Sequence, residues 1–204
     1  MNQAYSDIRV IKPSGNLRED VYKFLCENNH RETAEHCMKV GQESNRIAMQ
    51  YGIDEAEAEY AGYLHDISVV FPNEVRIRKA RQLNIDVLSE EEYFPMIVHQ
   101  KLSRSMAIDL FEIDNPGILS AVECHTTLKR DATKLDMVLF VADKIAWDQK
   151  GTPPYLNDIT DALAVSLEHA SFSYINYLWK QRDKLRVIHP WLRDAYLQLS
   201  SFLE

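Results

Sequence analysis

Seven histidines occur among the 204 residues of this chain, and four of them stand where an imidazole can do metal chemistry. His65-Asp66 closes the helical-looking stretch Tyr60-Ala61-Gly62-Tyr63-Leu64. An imidazole beside a carboxylate at a helix end can approach one cation from two directions, and the two oxygens of Asp66 can serve two cations. Taken alone, such a pair is no more than a polar helix end. His36 shares a helical face with Val40 and Ser44 beside an apolar stripe, and a buried imidazole there requires a polar partner or a metal. His99 falls near the start of a later helix, and His125 ends another, within Val122-Glu123-Cys124-His125-Thr126-Thr127. Asp143 stands in the most apolar run, Val138-Leu139-Phe140-Val141-Ala142. An unpaired carboxylate there would cost on the order of several kcal/mol; a cation removes that cost, and so does a buried arginine or lysine. The spacings are too long for a zinc finger or an HExxH helix, so these groups can meet only in the fold. Nitrogen and oxygen donors without thiolate suit Fe, Mn, Co or Zn and argue against a cysteine-rich structural zinc site.

The elements that must carry these side chains are helices. The spacing predicts helices over Leu17–Glu27 and Arg31–Tyr51, the latter burying Cys37, Val40, Gly41, Ser44, Ile47, Ala48 and Tyr51 on one face and ending at the C-cap Gly52. Asp54, with Glu57 three residues on, caps the next. Further helices are expected after Pro72, over Ile97–Phe111, from the Asn115-Pro116 cap to about His125, over Lys134–Trp147, and over Pro190–Leu203. Asn157–Arg182 reads as one long amphipathic helix with Ile159, Leu163, Leu167, Ala170, Tyr174 and Tyr177 on one side. Ser89–Glu92 reads as a polar lead-in. Val69-Val70-Phe71 is too short to carry a sheet. The expectation is an all-α chain of eight to ten helices, with residues 1–16 as an irregular N-terminal extension and 17–204 as the helical domain.

A 46% hydrophobic content allows a sizeable core. The longest apolar runs are too short to cross a bilayer, and residues 1–18 lack the apolar region of a signal peptide. The net charge of −8 disfavours nucleic acid as a partner. A polyanion then needs a local positive centre, which bound metal would provide. Three cysteines, Cys26, Cys37 and Cys124, cannot all pair within the chain, so a reducing cytoplasm is the expected compartment. Cys37 and Cys124 neighbour candidate ligands, but the plainer reading is buried thiol. His30, His169 and His189 read as turn, surface and loop residues.

The ordered set His36, His65-Asp66, His99, His125 and Asp143 resembles the HD-domain superfamily of metal-dependent phosphohydrolases, and within it the bacterial YqeK-like symmetrical diadenosine-tetraphosphate hydrolases. The likeness is carried by Glu35-His36-Cys37-Met38-Lys39-Val40, Leu64-His65-Asp66-Ile67, Cys124-His125-Thr126-Thr127 and Phe140-Val141-Ala142-Asp143-Lys144, and spans roughly Arg31–Trp179. Two departures stand out. Family members usually have a lysine shortly after the HD pair, where this chain reads Ile67-Ser68-Val69-Val70. They also tend to follow the last aspartate with an Ile-Glu-Pro-like stretch, where this chain reads Ile145-Ala146-Trp147.

The resemblance implies a single helical bundle of the HD type with extra C-terminal helices, and one or two divalent ions, with iron as the metal. It assigns His36, His65, Asp66 and Asp143 to one ion and Asp66, His99 and His125 to a second, the last three also being the catalytic set. It implies symmetrical cleavage of diadenosine tetraphosphate to ADP. Hydrolysis of another nucleotide, or nucleotide and metal binding in a regulatory module, are the alternatives. Lys101, Arg104, Lys129 and Arg130 lie near ligands along the chain and are candidate phosphate contacts, against the plainer reading of solvated surface charge. Thr126 and Thr127 are candidate hydroxyl donors or helix-end caps. Trp147 stacks on a base or packs in the core. The aromatic character of 157–182 and 190–203 admits a homodimer, and core packing accounts for it equally well.

Overall fold

The computed structural model describes residues 2–147 and 150–203. Among them are eleven α-helices and no strand. The helices are α1 (Leu17–Glu27), α2 (Arg31–Tyr51), α3 (Glu55–Leu64), α4 (Asn73–Gln82), α5 (Ser89–Tyr93), α6 (His99–Phe111), α7 (Pro116–Cys124), α8 (Lys134–Ile145), α9 (Leu156–Leu163), α10 (Leu167–Lys180) and α11 (Pro190–Leu203). The caps follow the sequence signals. Asn16 Oδ1 accepts from the Glu19 amide, Asp54 Oδ1 from Glu57, and Asn115 Oδ1 from Gly117 and Ile118 ahead of Pro116. Gly52 closes α2 at φ +64°, a backbone angle that favours glycine.

The all-α expectation holds, and two elements differ from it. Ser89–Glu92 forms the short helix α5, stabilised by Glu91, whose carboxylate accepts from the Leu88 amide at 2.8 Å. The single helix expected over 157–182 is instead a hairpin. Ser166 turns the backbone extended (φ −166°, ψ 167°), and its hydroxyl accepts from the His169 amide to start α10 afresh. These two changes account for eleven helices rather than nine.

α8 is buried nearly all round, from Leu135 to Ala142, as expected of a helix apolar on every face. It packs against α2, α3, α7, α9 and α10, so the last turn of α8, bearing Asp143, lies in the interior. α2 and α3 run as a hairpin whose backbones touch: a methyl group built on Gly62 would lie 2.5 Å from Gly41 Cα. That approach draws His36 of α2 towards His65 at the end of α3. Residues 2–16 lack long elements yet are tied down. Ala4, Tyr5 and Ile11 are buried, the Tyr5 hydroxyl donates to Asp109 at 2.6 Å, and Lys79 Nζ donates to the Ala4 carbonyl at 2.6 Å. No helix among the described residues is long and apolar enough to cross a membrane.

Candidate metal centre

Two helices end on the centre and a third begins there. His65 and His125 are the C-caps of α3 and α7, and His99 is the first residue of α6. Helix C-termini carry partial negative charge from their unsatisfied carbonyls, so the ends of α3 and α7 favour a cation between them. Each histidine turns its Nδ1 back onto the carbonyl three residues earlier: His65 to Gly62 (2.7 Å), His99 to Met96 (2.6 Å) and His125 to Val122 (2.9 Å). A carbonyl only accepts, so each Nδ1 carries a hydrogen and each neutral ring keeps its Nε2 lone pair.

All three Nε2 atoms face inward. His99 Nε2 lies 2.9 Å from His125 Nε2 and 3.1 Å from Asp66 Oδ1, and His125 Nε2 lies 3.6 Å from the same oxygen. His65 Nε2 lies 3.6 Å from both Asp66 Oδ2 and Asp143 Oδ1, and it is buried without a hydrogen-bond partner. His36 Nε2 lies 3.2 Å from Asp143 Oδ1. Thus one oxygen of Asp66 faces His99 and His125 while the other faces His65. His36, His65 and Asp66 form one group of donors that could hold a metal ion, and Asp66, His99 and His125 form another.

The cluster is rich in acceptors and poor in donors. Burial pushes His65 down to about 4, against the pull of Asp66 and Asp143, and burial likewise lowers His125. For Asp66, burial acts upward, but His65, His125 and His99 override it and hold the carboxyl well below its usual range. Neutral imidazole lone pairs facing a carboxylate repel one another unless a cation stands between them. The residues therefore fit one or two divalent ions with nitrogen and oxygen preferences.

Asp143 answers the burial problem with a buried lysine, one of the two ways its sequence context allowed. One oxygen faces His36 and His65, and the other pairs with the ammonium of Lys144. Lys144 also donates to the His125 carbonyl at 3.3 Å and lies over the Phe140 and Tyr174 rings. Its pKa is raised: burial acts downward, but Asp143 outweighs it.

A cavity of about 290 Å³ opens on this centre, lined by Thr33, His36, Asp66, Asp143, Lys144, Trp147, Tyr155 and Tyr174. Most of the candidate phosphate contacts lie elsewhere. Lys101 is buried on Glu91 (2.9 Å) and the Asp86 carbonyl (2.9 Å), beneath Trp191. It follows His99 by two positions, which on a helix points the side chain the opposite way. Arg104 faces Glu123 at 3.8 Å, Lys129 donates to Ser120 and lies 3.6 Å from Asp136, and Arg130 is exposed. None of these four lines the cavity. The Thr127 hydroxyl is buried between Gln100 and the Leu128 carbonyl. Thr126 does reach the centre, with Oγ1 3.3 Å from His99 Nε2, and its amide donates to Gln100. The residues that sequence reasoning missed at the cavity are Thr33, Lys144, Tyr155 and Tyr174, the last read only as part of a helix face. Lys144 was legible as the immediate neighbour of a buried aspartate; Tyr155 carried no local signal.

Among the described residues, an all-helical frame brings buried histidines onto one shared aspartate, a donor set that could hold a metal ion. The HD domain pattern matches residues 33–148, and the chain belongs to the HD-domain family. A Lactococcus lactis subsp. cremoris protein, described only by its position in the pepC 5′ region, is 44% identical over 151 residues, which is 74% of this chain and 76% of that protein. The symmetrical bis(5′-nucleosyl)-tetraphosphatase of Staphylococcus aureus is 28% identical over 62% of this chain and 63% of its own length. A Mycoplasma genitalium protein described as a probable nicotinate-nucleotide adenylyltransferase/Ap4A hydrolase is 23% identical over 57% of this chain but only 32% of its own length. In fold, the chain is similar to a Clostridium acetobutylicum protein described as a predicted HD superfamily hydrolase involved in NAD metabolism, with a TM-score of 0.83 over 90% of this chain and 97% of that one, at 23% identity. The chain is an HD-domain hydrolase related at low identity to Ap4A hydrolases.

Proposed function

We propose that this chain uses divalent metal to hydrolyse a nucleotide phosphoanhydride, and that its substrate is diadenosine tetraphosphate, cut symmetrically into two ADP. The observation that carries the proposal is the facing of three Nε2 lone pairs onto the two oxygens of Asp66, with no lysine or arginine among the described residues bonded to that carboxylate. In this reading His36, His65, Asp66 and Asp143 hold one ion, and Asp66, His99 and His125 hold a second, with iron as the expected metal. Bound there, the ions would acidify a water at neutral pH and neutralise phosphoryl oxygens. Water adds to phosphorus, the central P–O–P bridge breaks, and ADP leaves.

The chain's own groups orient this chemistry. The carbonyls of Gly62, Met96 and Val122 fix the three rings and make their Nε2 atoms better donors to metal. Among the described residues Lys144 is the one lysine or arginine lining the cavity, and it offers an ammonium to a phosphoryl oxygen in a chain whose net charge is −8. The Thr126 hydroxyl stands beside His99 to donate a hydrogen bond. The staphylococcal and mycoplasmal relatives support the choice of substrate. A second reading, hydrolysis of a different nucleotide, is favoured by the uncharged stretch Ile67-Ser68-Val69-Val70 where the family usually carries lysine.

Metal analysis of protein purified without chelator, followed by product analysis with dinucleoside polyphosphates, tests both. One or two equivalents of a transition metal with ADP as the sole product support the first reading. ATP plus AMP, or turnover of only mononucleotides, supports the second. Full turnover in protein stripped of metal overturns both.

A further inference from the structure

The cavity at the metal centre has two unlike walls. One is polar: Thr33, His36, Asp66, Asp143 and Lys144. The other is built from Trp147, just after α8, Tyr155, just before α9, and Tyr174 of α10. Tyr155 meets Tyr174 with ring centroids 4.8 Å apart at 75°, and Trp147 with centroids 6.2 Å apart at 87°. The Trp147 indole nitrogen is buried and has no acceptor among the described residues, although a buried indole N–H ordinarily finds one. Tyr174 already lies under a cation, the Lys144 ammonium, 5.6 Å from its ring centroid. The result is a cleft whose one end suits phosphate and whose other end suits a flat, aromatic group carrying hydrogen-bond acceptors.

From this we infer that Trp147, Tyr155 and Tyr174 form a nucleobase subsite, which sets the enzyme's preference for nucleotides over base-free polyphosphates. A base seated there packs against this aromatic wall, with a ring nitrogen or carbonyl turned towards the Trp147 indole N–H. Its phosphates then extend past Lys144 to the histidines. The subsite rests on the phosphohydrolase reading, because its position matters only if phosphates lie at the centre.

The test compares ADP with inorganic pyrophosphate on metal-loaded protein by calorimetric titration. Base–aromatic stacking is worth about 1–3 kcal/mol per base, or roughly five- to hundredfold in affinity. The unaltered protein is therefore expected to bind ADP at least about fivefold more tightly than pyrophosphate. Trp147→Leu should lower that affinity ratio by at least about fivefold, and Trp147→Phe, which keeps a ring, by no more than about threefold. Equal affinity for ADP and pyrophosphate in the unaltered protein overturns the inference without recourse to any variant. So does an unchanged ratio in Trp147→Leu, or an equal loss in the leucine and phenylalanine variants. Metal-dependent cleavage of tripolyphosphate, which has no base, reports on the centre alone. If that cleavage proceeds while the ADP preference is absent, only the subsite is lost. If no metal is bound and nothing is cleaved, the phosphohydrolase reading itself has failed.

Discussion

Two clusters in this molecule bury histidine against carboxylate, and they reach opposite solutions. At the metal centre, His65, His99 and His125 each give the Nδ1 hydrogen to a carbonyl and turn a lone pair inward. Where α5 and α6 meet the start of α11, His189 does the reverse. Its Nδ1 accepts from the Trp191 amide at 3.2 Å, so Nε2 carries the hydrogen and faces Glu91 Oε1 at 3.5 Å. Glu91 also receives the ammonium of Lys101 and is fully buried. This second cluster contains its own cation, Lys101, and is closed in that sense, although Glu91 Oε1 and His189 Nε2, 3.5 Å apart, do not complete a hydrogen bond. The first has several acceptors around Asp66 and, among the described residues, no lysine or arginine on that carboxylate. Proximity of histidine to carboxylate therefore does not distinguish a metal site from a structural ion pair. The main-chain partner of each Nδ1, which sets the tautomer, does.

The contrast can be broken most forcefully at the closed cluster. Lys101→Met leaves Glu91 buried without its main cation, and removing one partner of a buried pair costs about 3–5 kcal/mol. Urea unfolding should show that loss, while bound metal per folded chain stays near the unaltered value. Asp66→Ala should do the opposite. Metal content and turnover fall by more than about a hundredfold, beyond the loss typical of residues that only support a ligand, while the urea midpoint of metal-free protein moves little. A chelator should lower the melting temperature of the unaltered protein and not that of Asp66→Ala, because an ion that binds only the folded state stabilises it.

Gly62→Ala tests the approach that brings the donors together. The added methyl meets the α2 backbone at Gly41, and overpacking of this kind costs about 1–3 kcal/mol. Because Gly62 also supplies the carbonyl that orients His65, metal affinity should fall by about ten- to hundredfold. Metal titration of folded protein measures this, and unchanged affinity would remove the orienting role. The smallest effect is expected from pH at the closed cluster. Burial acts upward on Glu91, but His189, the Leu88 amide and Lys101 hold its carboxyl below the ordinary 4.5. A lowered folded-state pKa adds stability above the unfolded value and loses it as pH falls through the folded value. The stability difference between unaltered protein and Glu91→Gln should therefore shrink below about pH 4.5. A difference that is constant with pH would show that Glu91 is not held ionised.

Much of this architecture was readable along the chain because its signals are local. Asp54, Gly52 and Asn115-Pro116 mark helix ends through hydrogen bonds and backbone angles that involve only a few neighbouring residues. The break at Ser166 escaped the same reading for a physical reason. Ile159, Leu163, Leu167 and Ala170 keep helical spacing across the turn, and all four are buried, so periodicity alone cannot tell one helix from two folded together. The four basic residues offered as phosphate contacts lie away from the cavity for a different reason. Lys101 was judged by its distance from His99 in sequence, and two residues on a helix are nearly half a turn apart.

The residues themselves determined that the chain would be helical and that α8 would be interior, since residue type and short-range spacing suffice for each; the six candidate ligands were singled out by their order and by resemblance to a family pattern. Only the tertiary structure decided what those side chains face. The contact of Gly41 with Gly62 brings α2 against α3, and the return of Nδ1 to a carbonyl directs each lone pair inward. The turn at Ser166 folds α9 back on α10. An unbroken helix would hold positions 157 and 174 about 26 Å apart; the hairpin instead sets the Tyr155 and Tyr174 rings 4.8 Å from each other at the mouth of the centre. Such meetings depend on how whole helices cross, and no local pattern encodes a crossing.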